Sequence, residues 1–186
     1  MPLLVEEMAG VRTAAVSWLL PAGNASDPHG DAGDGWSSLL AELAQRGAGT
    51  RDSRQHCDAL DRTGAQRSVS PAAVHIVVGA TTIGTRLAEA LPLLADIVLR
   101  PHLPGDALDA VRSLALQSLE SLQDDPQHRV SLRLRELHLP PPFDRNGHGN
   151  KVAFERAEID ALRDSWHRRV RPVGSILAIA GAVRAD

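Results

Sequence analysis

The chain has 186 residues, of which 43% are hydrophobic and 23% are charged, and its formal net charge is −3. These values are typical of one globular domain with a sizeable core, and the lack of a basic surplus argues against a nucleic-acid partner. The single cysteine, Cys57, excludes an internal disulfide and is typical of a reducing compartment. The N-terminus lacks the basic start of a signal peptide, and no apolar run approaches the roughly 20 residues of a membrane-spanning helix, so we predict a cytoplasmic protein without a membrane partner.

Hydrophobic periodicity predicts strands and helices along the whole chain. In chain order, the predicted elements are a strand over 11–20, helices over 36–46 and 50–63, strands over 65–70 and 72–79, helices over 83–99, 106–123, 126–137 and 155–168, and a strand over 175–183. Strands and helices are partly segregated in this order, which indicates an α+β fold with helices packed on one face of a sheet. We find no repeat and no linker, and we therefore expect a single domain over residues 1–186.

Three local features sharpen these predictions. We expect Thr50 to cap the helix over 50–63, and Pro92 to kink the helix over 83–99. Val74, Ile76 and Val78 alternate along the second strand of the central pair and should share one of its faces.

The helix over 36–46 follows an acidic, glycine-rich loop and is predicted to have two distinct faces. Its apolar face consists of Trp36, Leu39, Leu40 and Leu43, at the spacing of an amphipathic helix. The opposite face consists of Ser38, Ala41 and Glu42, which helical geometry places together.

Several segments, taken together and in order, resemble the N-terminal domain of the insulinase/pitrilysin family of zinc metallopeptidases. These segments are VRTAAVSWLLPAGNASDP, GWSSLLAELAQRGAGT, RTGAQRSVSPAAVHIVVGA, LQSLESLQDDPQHR and EIDALRDSWHRRVRPVGSILAIAGAV. The resemblance covers nearly the whole chain. It implies a mixed, largely antiparallel sheet with helices packed on one face, like one half-domain of a processing-peptidase or insulinase-type subunit.

The resemblance also locates the family's zinc motif, H-x-x-E-H, in which two imidazoles one turn apart hold the metal and a glutamate activates water. Aligned on this chain, the first histidine corresponds to Ser38, the glutamate to Ala41 and the second histidine to Glu42. The third ligand, which lies on a later helix, corresponds to Ser118. Glu120 does not replace it, because it points about 200° away on a helix.

Every catalytic position is therefore substituted, and we expect this chain to bind no metal in the family's manner and to hydrolyse no peptide by itself. The resemblance implies that zinc belongs to a catalytic partner: either an H-x-x-E-H-bearing subunit or a similar second domain. We expect that second domain to be absent from this sequence, which ends at Asp186, just after the last predicted strand. The sequence is then either a fragment of a two-domain subunit or a half whose partner is a separate chain, and we favour the second.

Other polar groups have simpler interpretations. The loop containing Asp27, His29, Asp31 and Asp34 superficially resembles a Ca²⁺ loop but lacks the glutamate at the twelfth position, and we interpret it as a solvated entry to the following helix.

His56 is expected to be exposed beside a buried Cys57 thiol, and His75 to make an ordinary contact on a sheet face. His148 is expected to lie in a mobile surface loop, and no placed base supports a Ser–His–Asp nucleophile at Ser38 or Ser118.

Two further strings also have structural interpretations. The basic string around Arg168 and Arg169 ends a helix, where cations meet the negative end of the helix dipole. The string GATTIG lacks the Lys-Ser/Thr pair of a phosphate-binding loop and fits a strand-to-helix turn.

The resemblance further implies that the strand over residues 64–70 is an exposed edge that pairs with an extended peptide. On this basis the predicted substrate-binding residues are Gln66, Arg67, Ser68 and Val69. An ordinary edge strand protected by Arg67 is the alternative.

Three functions from different classes remain open at this point. The first is a non-catalytic partner or substrate-chamber subunit of a zinc peptidase that processes peptides. The second is a binding or structural module that reuses the fold without a protease. The third is an active hydrolase with a rearranged site.

Overall fold

The computed structural model describes residues 1–184, and of Gln123 only the helical backbone. The strands are β1 (Leu3–Glu7), β2 (Thr13–Leu20), β3 (Gln66–Pro71), β4 (Ile76–Ile83) and β5 (Ile176–Gly181). The helices are α1 (Trp36–Leu43), α2 (Ser53–Arg62), α3 (Leu87–Leu99), α4 (Leu108–Gln123), α5 (Pro126–His138), α6 (Lys151–Arg156) and α7 (Ile159–Arg169).

The five strands form one sheet in the order β1-β5-β2-β4-β3. β2 pairs antiparallel with both β4 and β5, β3 pairs antiparallel with β4, and only β1 pairs parallel, with β5. The predicted α+β fold with a mixed, largely antiparallel sheet is confirmed. β1 and β3 occupy the two edges, so the strand predicted to be an edge strand is one.

The core lies between one face of the sheet and the helices. Alternate residues of β2, from Ala14 to Leu20, are buried, and Ile76 and Val78 are buried on β4 beside them. The rest of this core is largely aliphatic, with Phe154, Trp36 and Trp166 as its large aromatic side chains. Val74 does not join Ile76 and Val78 as predicted, because it lies in the turn between β3 and β4, where it is 49% exposed.

Several predicted boundaries are wrong, each for a local reason. α2 is capped by Asp52 and not by Thr50, because Asp52 and Gln55 form a reciprocal capping box. The helix predicted over 83–99 begins only at Leu87, since β4 extends to Ile83 and a 3-10 turn follows. Pro92 lies inside α3, which continues through it.

Two elements were missed by the sequence pattern. β1 was not predicted, and all five of its residues are exposed, so it lacks the alternation of buried and exposed positions that identifies a strand. The helix predicted over 155–168 is instead two helices, because the backbone is extended at Ala157 and Glu158.

The burial of His56 and Cys57 is the reverse of the prediction. His56 is 1% exposed, and its Nε2 lies 3.1 Å from the carbonyl oxygen of Leu93 on α3, whereas Cys57 is only partly buried. Burial lowers the pKa of His56, although its contact with Leu93 opposes this shift. His56 therefore joins α2 to α3 as a neutral imidazole.

Across residues 1–184, the helices are too short or too polar to cross a lipid bilayer.

Candidate functional site

A cavity of about 210 Å³ lies between α1, α4 and β3. All four residues at the predicted zinc-motif positions line it: Ser38, Ala41 and Glu42 from α1, and Ser118 from α4. The remaining lining residues are Val69, Pro71, Val111, Leu114, Ala115, Leu119, His148 and Phe154. The structure thus brings together side chains that lie about 80 residues apart in the sequence, in the arrangement that the register predicted.

α1 is buried on nearly every side, which corrects the prediction of two distinct faces. Ala41 is only 2% exposed and belongs to the core, and Ser37 is fully buried. Ser38 and Glu42 alone keep partial exposure. The reason is that α4 packs against the side of α1 opposite its large apolar residues.

Asp27 holds the first turn of α1 in place. Its carboxylate accepts hydrogen bonds from the backbone N–H groups of Gly35 (3.2 Å) and Ser37 (3.1 Å) and from the Ser37 hydroxyl (2.6 Å). These donors include N–H groups that a helix start leaves without an intrahelical partner. Asp27 is 4% exposed, so the prediction of a solvated loop is wrong at this residue. Burial raises its pKa, and its bonds with Ser37 and Arg169 oppose that shift.

Arg169, the last residue of α7, completes this arrangement. Its Nη1 donates to Asp27 Oδ1 at 2.8 Å, and its side chain is only 11% exposed. The basic string at the end of α7 is therefore not uniformly solvated: Arg168 is exposed, whereas Arg169 forms a buried ion pair. The pair joins the end of α7 to the start of α1, which carries three of the four motif positions.

The donor atoms at the cavity do not fit a zinc ion. Glu42 is the one carboxylate at the four positions, its side chain is 47% exposed, and it lies 3.8 Å from Arg46. The Ser118 hydroxyl donates to the carbonyl oxygen of Leu114 at 2.9 Å, and Ala41 has no donor. Within residues 1–184, no three His, Cys, Asp or Glu side chains are grouped so that they could hold a metal ion. A zinc site requires at least three strong ligands, so we derive no metal chemistry for this cavity.

Glu120 lies outside this cavity, on the wall of a neighbouring one of about 620 Å³. The loop that contains Asp27, His29, Asp31 and Asp34 forms no group of metal ligands among the described residues either. Asp34 is partly buried, and burial raises its pKa while Arg145 opposes the shift.

His148 is more buried than the sequence predicts. It is half-buried, and it lines both the smaller and the larger cavity. Asn146 fixes its backbone by accepting hydrogen bonds from the N–H groups of His148 (2.7 Å) and Gly149 (2.9 Å). Its ring packs edge-to-face on His128, with 4.8 Å between centroids.

Burial lowers the pKa of His148, and the nearby charges of His128 and Arg135 lower it further. The cavity therefore contains a neutral imidazole that the zinc motif does not include. The sequence signal for an ordered turn at His148 is the string Asn-Gly-His-Gly-Asn, since asparagine side chains commonly order turns and cap helices.

β3 presents main-chain hydrogen-bonding groups at the sheet edge. The N–H of Ala72 donates to the carbonyl oxygen of His75 at 2.7 Å. Counting back from Ala72 along β3, residues whose backbone groups bond to β4 alternate with residues whose backbone groups do not. The backbone groups of Gln66 and Ser68 therefore face β4, and those of Arg67 and Val69 face outwards.

The side chains of the outward-facing pair are used differently. Val69 is 9% exposed and reaches the smaller cavity, whereas Arg67 Nη2 lies 3.2 Å from Cys57 Sγ. Peptide binding by Gln66, Arg67, Ser68 and Val69 stays a prediction. His75 lies in the turn that follows β3 and not on a sheet face.

The chain thus has a five-stranded, largely antiparallel sheet with helices packed on one face, and the cavity between α1 and α4 lies beside its edge strand β3. A family model described as "Insulinase (Peptidase family M16)" matches residues 3–139, and the chain belongs to this family.

Curated relatives include an uncharacterized zinc protease of Mycobacterium leprae, 26% identical over 190 residues, and one of Mycobacterium tuberculosis H37Rv, 25% identical over 190 residues. Each alignment covers 99% of this chain. The chain spans only 41% and 42%, respectively, of these relatives.

Solved structures share the fold. A protease from Helicobacter pylori superposes with a TM-score of 0.88 at 13% identity, covering 98% of this chain and 44% of that one. A peptidase M16 inactive domain from Pseudomonas fluorescens superposes with a TM-score of 0.85 at 19% identity, also covering 98% and 44%. Pitrilysin gives 0.82 at 16% identity, covering 98% of this chain and 20% of pitrilysin.

Proposed function

We propose that this protein is a non-catalytic member of the family that acts as a partner or substrate-chamber subunit of a zinc peptidase that processes peptides. In this function the chain itself holds no cofactor. The zinc ion and the activated water belong to a catalytic partner, either an H-x-x-E-H-bearing subunit or a similar second domain.

One observation carries the proposal: the donor set at the cavity between α1 and α4. Two serines, an alanine and one ion-paired glutamate occupy the four motif positions, and they cannot replace two imidazoles and a carboxylate as ligands together with a glutamate base. The M16 structure from Pseudomonas fluorescens, itself described as an inactive domain, supports the view that this fold exists without the chemistry.

The geometry of β3 supports the substrate-chamber role. Outward-facing N–H and C=O groups at Arg67 and Val69 are free of the sheet ladder, and an extended peptide can add to such an edge as a further strand. Val69 also reaches the smaller cavity, so a peptide on this edge would pass beside the substituted motif.

The decisive experiment measures metal content. Purified wild-type protein, incubated with zinc and desalted, should contain far less than one zinc per chain by elemental mass spectrometry, and it should cleave no labelled peptide. The matched control restores the motif through Ser38→His, Ala41→Glu, Glu42→His and Ser118→Glu. That variant should bind zinc and should melt at a higher temperature when zinc is present.

Stoichiometric zinc in the wild-type protein would overturn the proposal, and a chelator-sensitive or Ser38-dependent hydrolysis would favour the rearranged hydrolase instead. If the control variant does not fold, the wild-type metal content still decides the question, because it depends only on the native chain.

A second experiment tests the partner. Co-expression with an H-x-x-E-H-bearing protein encoded near this gene should give a complex that survives gel filtration and cleaves peptides. If no such gene lies nearby, or if the two proteins do not associate, the binding module that reuses the fold without a protease would be favoured.

A further inference from the structure

α5 is poorly packed for a helix that contains so many apolar residues. None of its thirteen residues, Pro126 to His138, is buried. Val130, Leu134 and Leu137 are 69%, 58% and 67% exposed. Helices of this length are only marginally stable in water without packing against another surface, so an apolar face left open on α5 is a candidate for burial by a partner.

The three exposed residues form one continuous stripe, which we call the α5 stripe: Val130, Leu134 and Leu137. Their spacing of four and then three residues places them on one side of the helix. Leu132 lies on the other side, where it lines the larger cavity together with leucines of α4. His128 also lies on that inner side, against His148. The stripe therefore faces away from the rest of the domain.

The charges beside the stripe are mainly basic. Arg129 and Arg133 follow one of its margins, one turn apart. The single acid within α5 is Glu136, and Arg133 already donates to it at 2.8 Å. Arg129 lies between the two sides of α5: it lines the larger cavity with Leu132, and it also lines an outer groove with Val130 and Arg133. None of the salt bridges within residues 1–184 includes it. Asp125 lies at the N-terminal end, where its carboxylate caps the helix by accepting from His128 N–H.

We propose that the α5 stripe binds an amphipathic helix of a partner protein, with leucine-like residues on its apolar face and glutamates or aspartates beside it. Such a helix would cover the stripe and place its carboxylates next to Arg129 and Arg133. A second copy of this chain is a poorer match, because an antiparallel two-fold pairing of α5 would set the arginine margin against itself. This inference goes beyond the proposed function, since it does not require the partner to be a peptidase.

The experiment uses the full chain and two fluorescein-labelled synthetic helical peptides with the same leucine stripe. One peptide is flanked by glutamates and the other by lysines. In fluorescence anisotropy at low salt, the glutamate peptide should bind at least about tenfold more tightly than the lysine peptide, a difference of about 1.4 kcal/mol. Leu134→Gln and Arg129→Gln should each weaken binding of the glutamate peptide. The control Leu99→Gln, at an exposed leucine of α3 (68% exposed), should not.

Each other result overturns the inference. Equal affinity for the two peptides, or equal loss in Leu134→Gln and Leu99→Gln, would mean that the stripe does not select an acidic helix. A wild-type dimer by light scattering that Leu134→Gln converts to a monomer would assign the stripe to a second copy. Circular dichroism of the variants, whose substitutions are all exposed, separates lost binding from lost folding.

Discussion

The buried ion pair between Asp27 and Arg169 gives the sharpest test of how this domain positions α1. The perturbation is Arg169→Met, which keeps much of the side-chain volume and removes the guanidinium. Asp27 is 4% exposed, so its carboxylate would be left buried without its charged partner. Removing one partner of a buried pair is strongly destabilising because the other charge stays desolvated.

The magnitude follows from what remains around Asp27. Three donors stay in place: the N–H groups of Gly35 and Ser37, and the Ser37 hydroxyl. In addition, the guanidinium atoms Nε and Nη2 of Arg169 are buried without a hydrogen-bond partner among the described residues, so their removal relieves a cost. We therefore expect a loss of about 3 kcal/mol in the free energy of unfolding, at the low end of the range for breaking a buried pair.

The assay is equilibrium urea denaturation followed by circular dichroism, with the m-value used to check that the transition stays two-state. The matched control is Arg168→Met, at the exposed neighbouring arginine, which should change stability by less than about 0.5 kcal/mol. The double variant Asp27→Asn, Arg169→Met should be more stable than Arg169→Met alone, because no charge is then left buried. Equal losses at Arg168 and Arg169, or strictly additive effects in the double variant, would refute the reasoning.

Three further predictions concern other parts of the domain. Gly149→Ala should destabilise the domain by about 1–3 kcal/mol in the same denaturation assay, because Gly149 has a φ of +84° and an added Cβ would lie 2.6 Å from Asp34 O; Gly10→Ala, at a φ of +82° with open space, should cost less, and equal costs would contradict the contact. The contribution of His56 and His148 to the free energy of unfolding should fall as the pH drops below 6.5, because their pKa values are lowered in the folded state and the unfolded chain binds more protons there; the raised pKa values of Asp27 and Asp34 act in the opposite direction at lower pH. His56→Gln should make the fall just below pH 6.5 shallower, and an unchanged slope would argue against a buried neutral His56. Arg67→Pro should weaken binding of a labelled extended peptide by up to about tenfold in fluorescence anisotropy, since it removes an outward N–H, whereas Arg67→Ala keeps that N–H and should bind more tightly than Arg67→Pro.

The sequence predicts most of this fold because strong local patterns agree with the tertiary structure. The alternating residues of β2 report one buried surface directly, and the apolar spacing of α1 predicts the helix, although not the burial of its other side. β1 is not predicted, because a fully exposed edge strand has no buried face and therefore no alternation of apolar and polar residues. α6 is not predicted because it has only six residues and directly follows a loop rich in proline and glycine.

The site is only partly predictable, and the reason is its dependence on distant residues. Helical spacing correctly groups Ser38, Ala41 and Glu42, and the family alignment brings Ser118 to them. The role of Arg169 depends on Asp27, which lies 142 residues away in the sequence. His148 lines the cavity opposite residues of α1 that are also distant in the sequence. A basic residue at a helix end has no local signature that separates it from a solvated one. The asparagines beside His148 indicate an ordered turn but not a place in a cavity.

These contacts also explain how the metal motif can be replaced while its frame persists. The start of α1 is fixed by Asp27 and Ser37, and through Arg169 by α7, with no contribution from the four motif positions. Ala41 even joins the core, where an alanine packs more easily than a glutamate, because a buried charge needs a partner. The first turn of α1 is therefore held by side chains outside the four positions, and of those four Ala41 contributes to the core. Under the proposed function, the residues at the four positions differ from the family's motif while the helix packing that forms the cavity is kept.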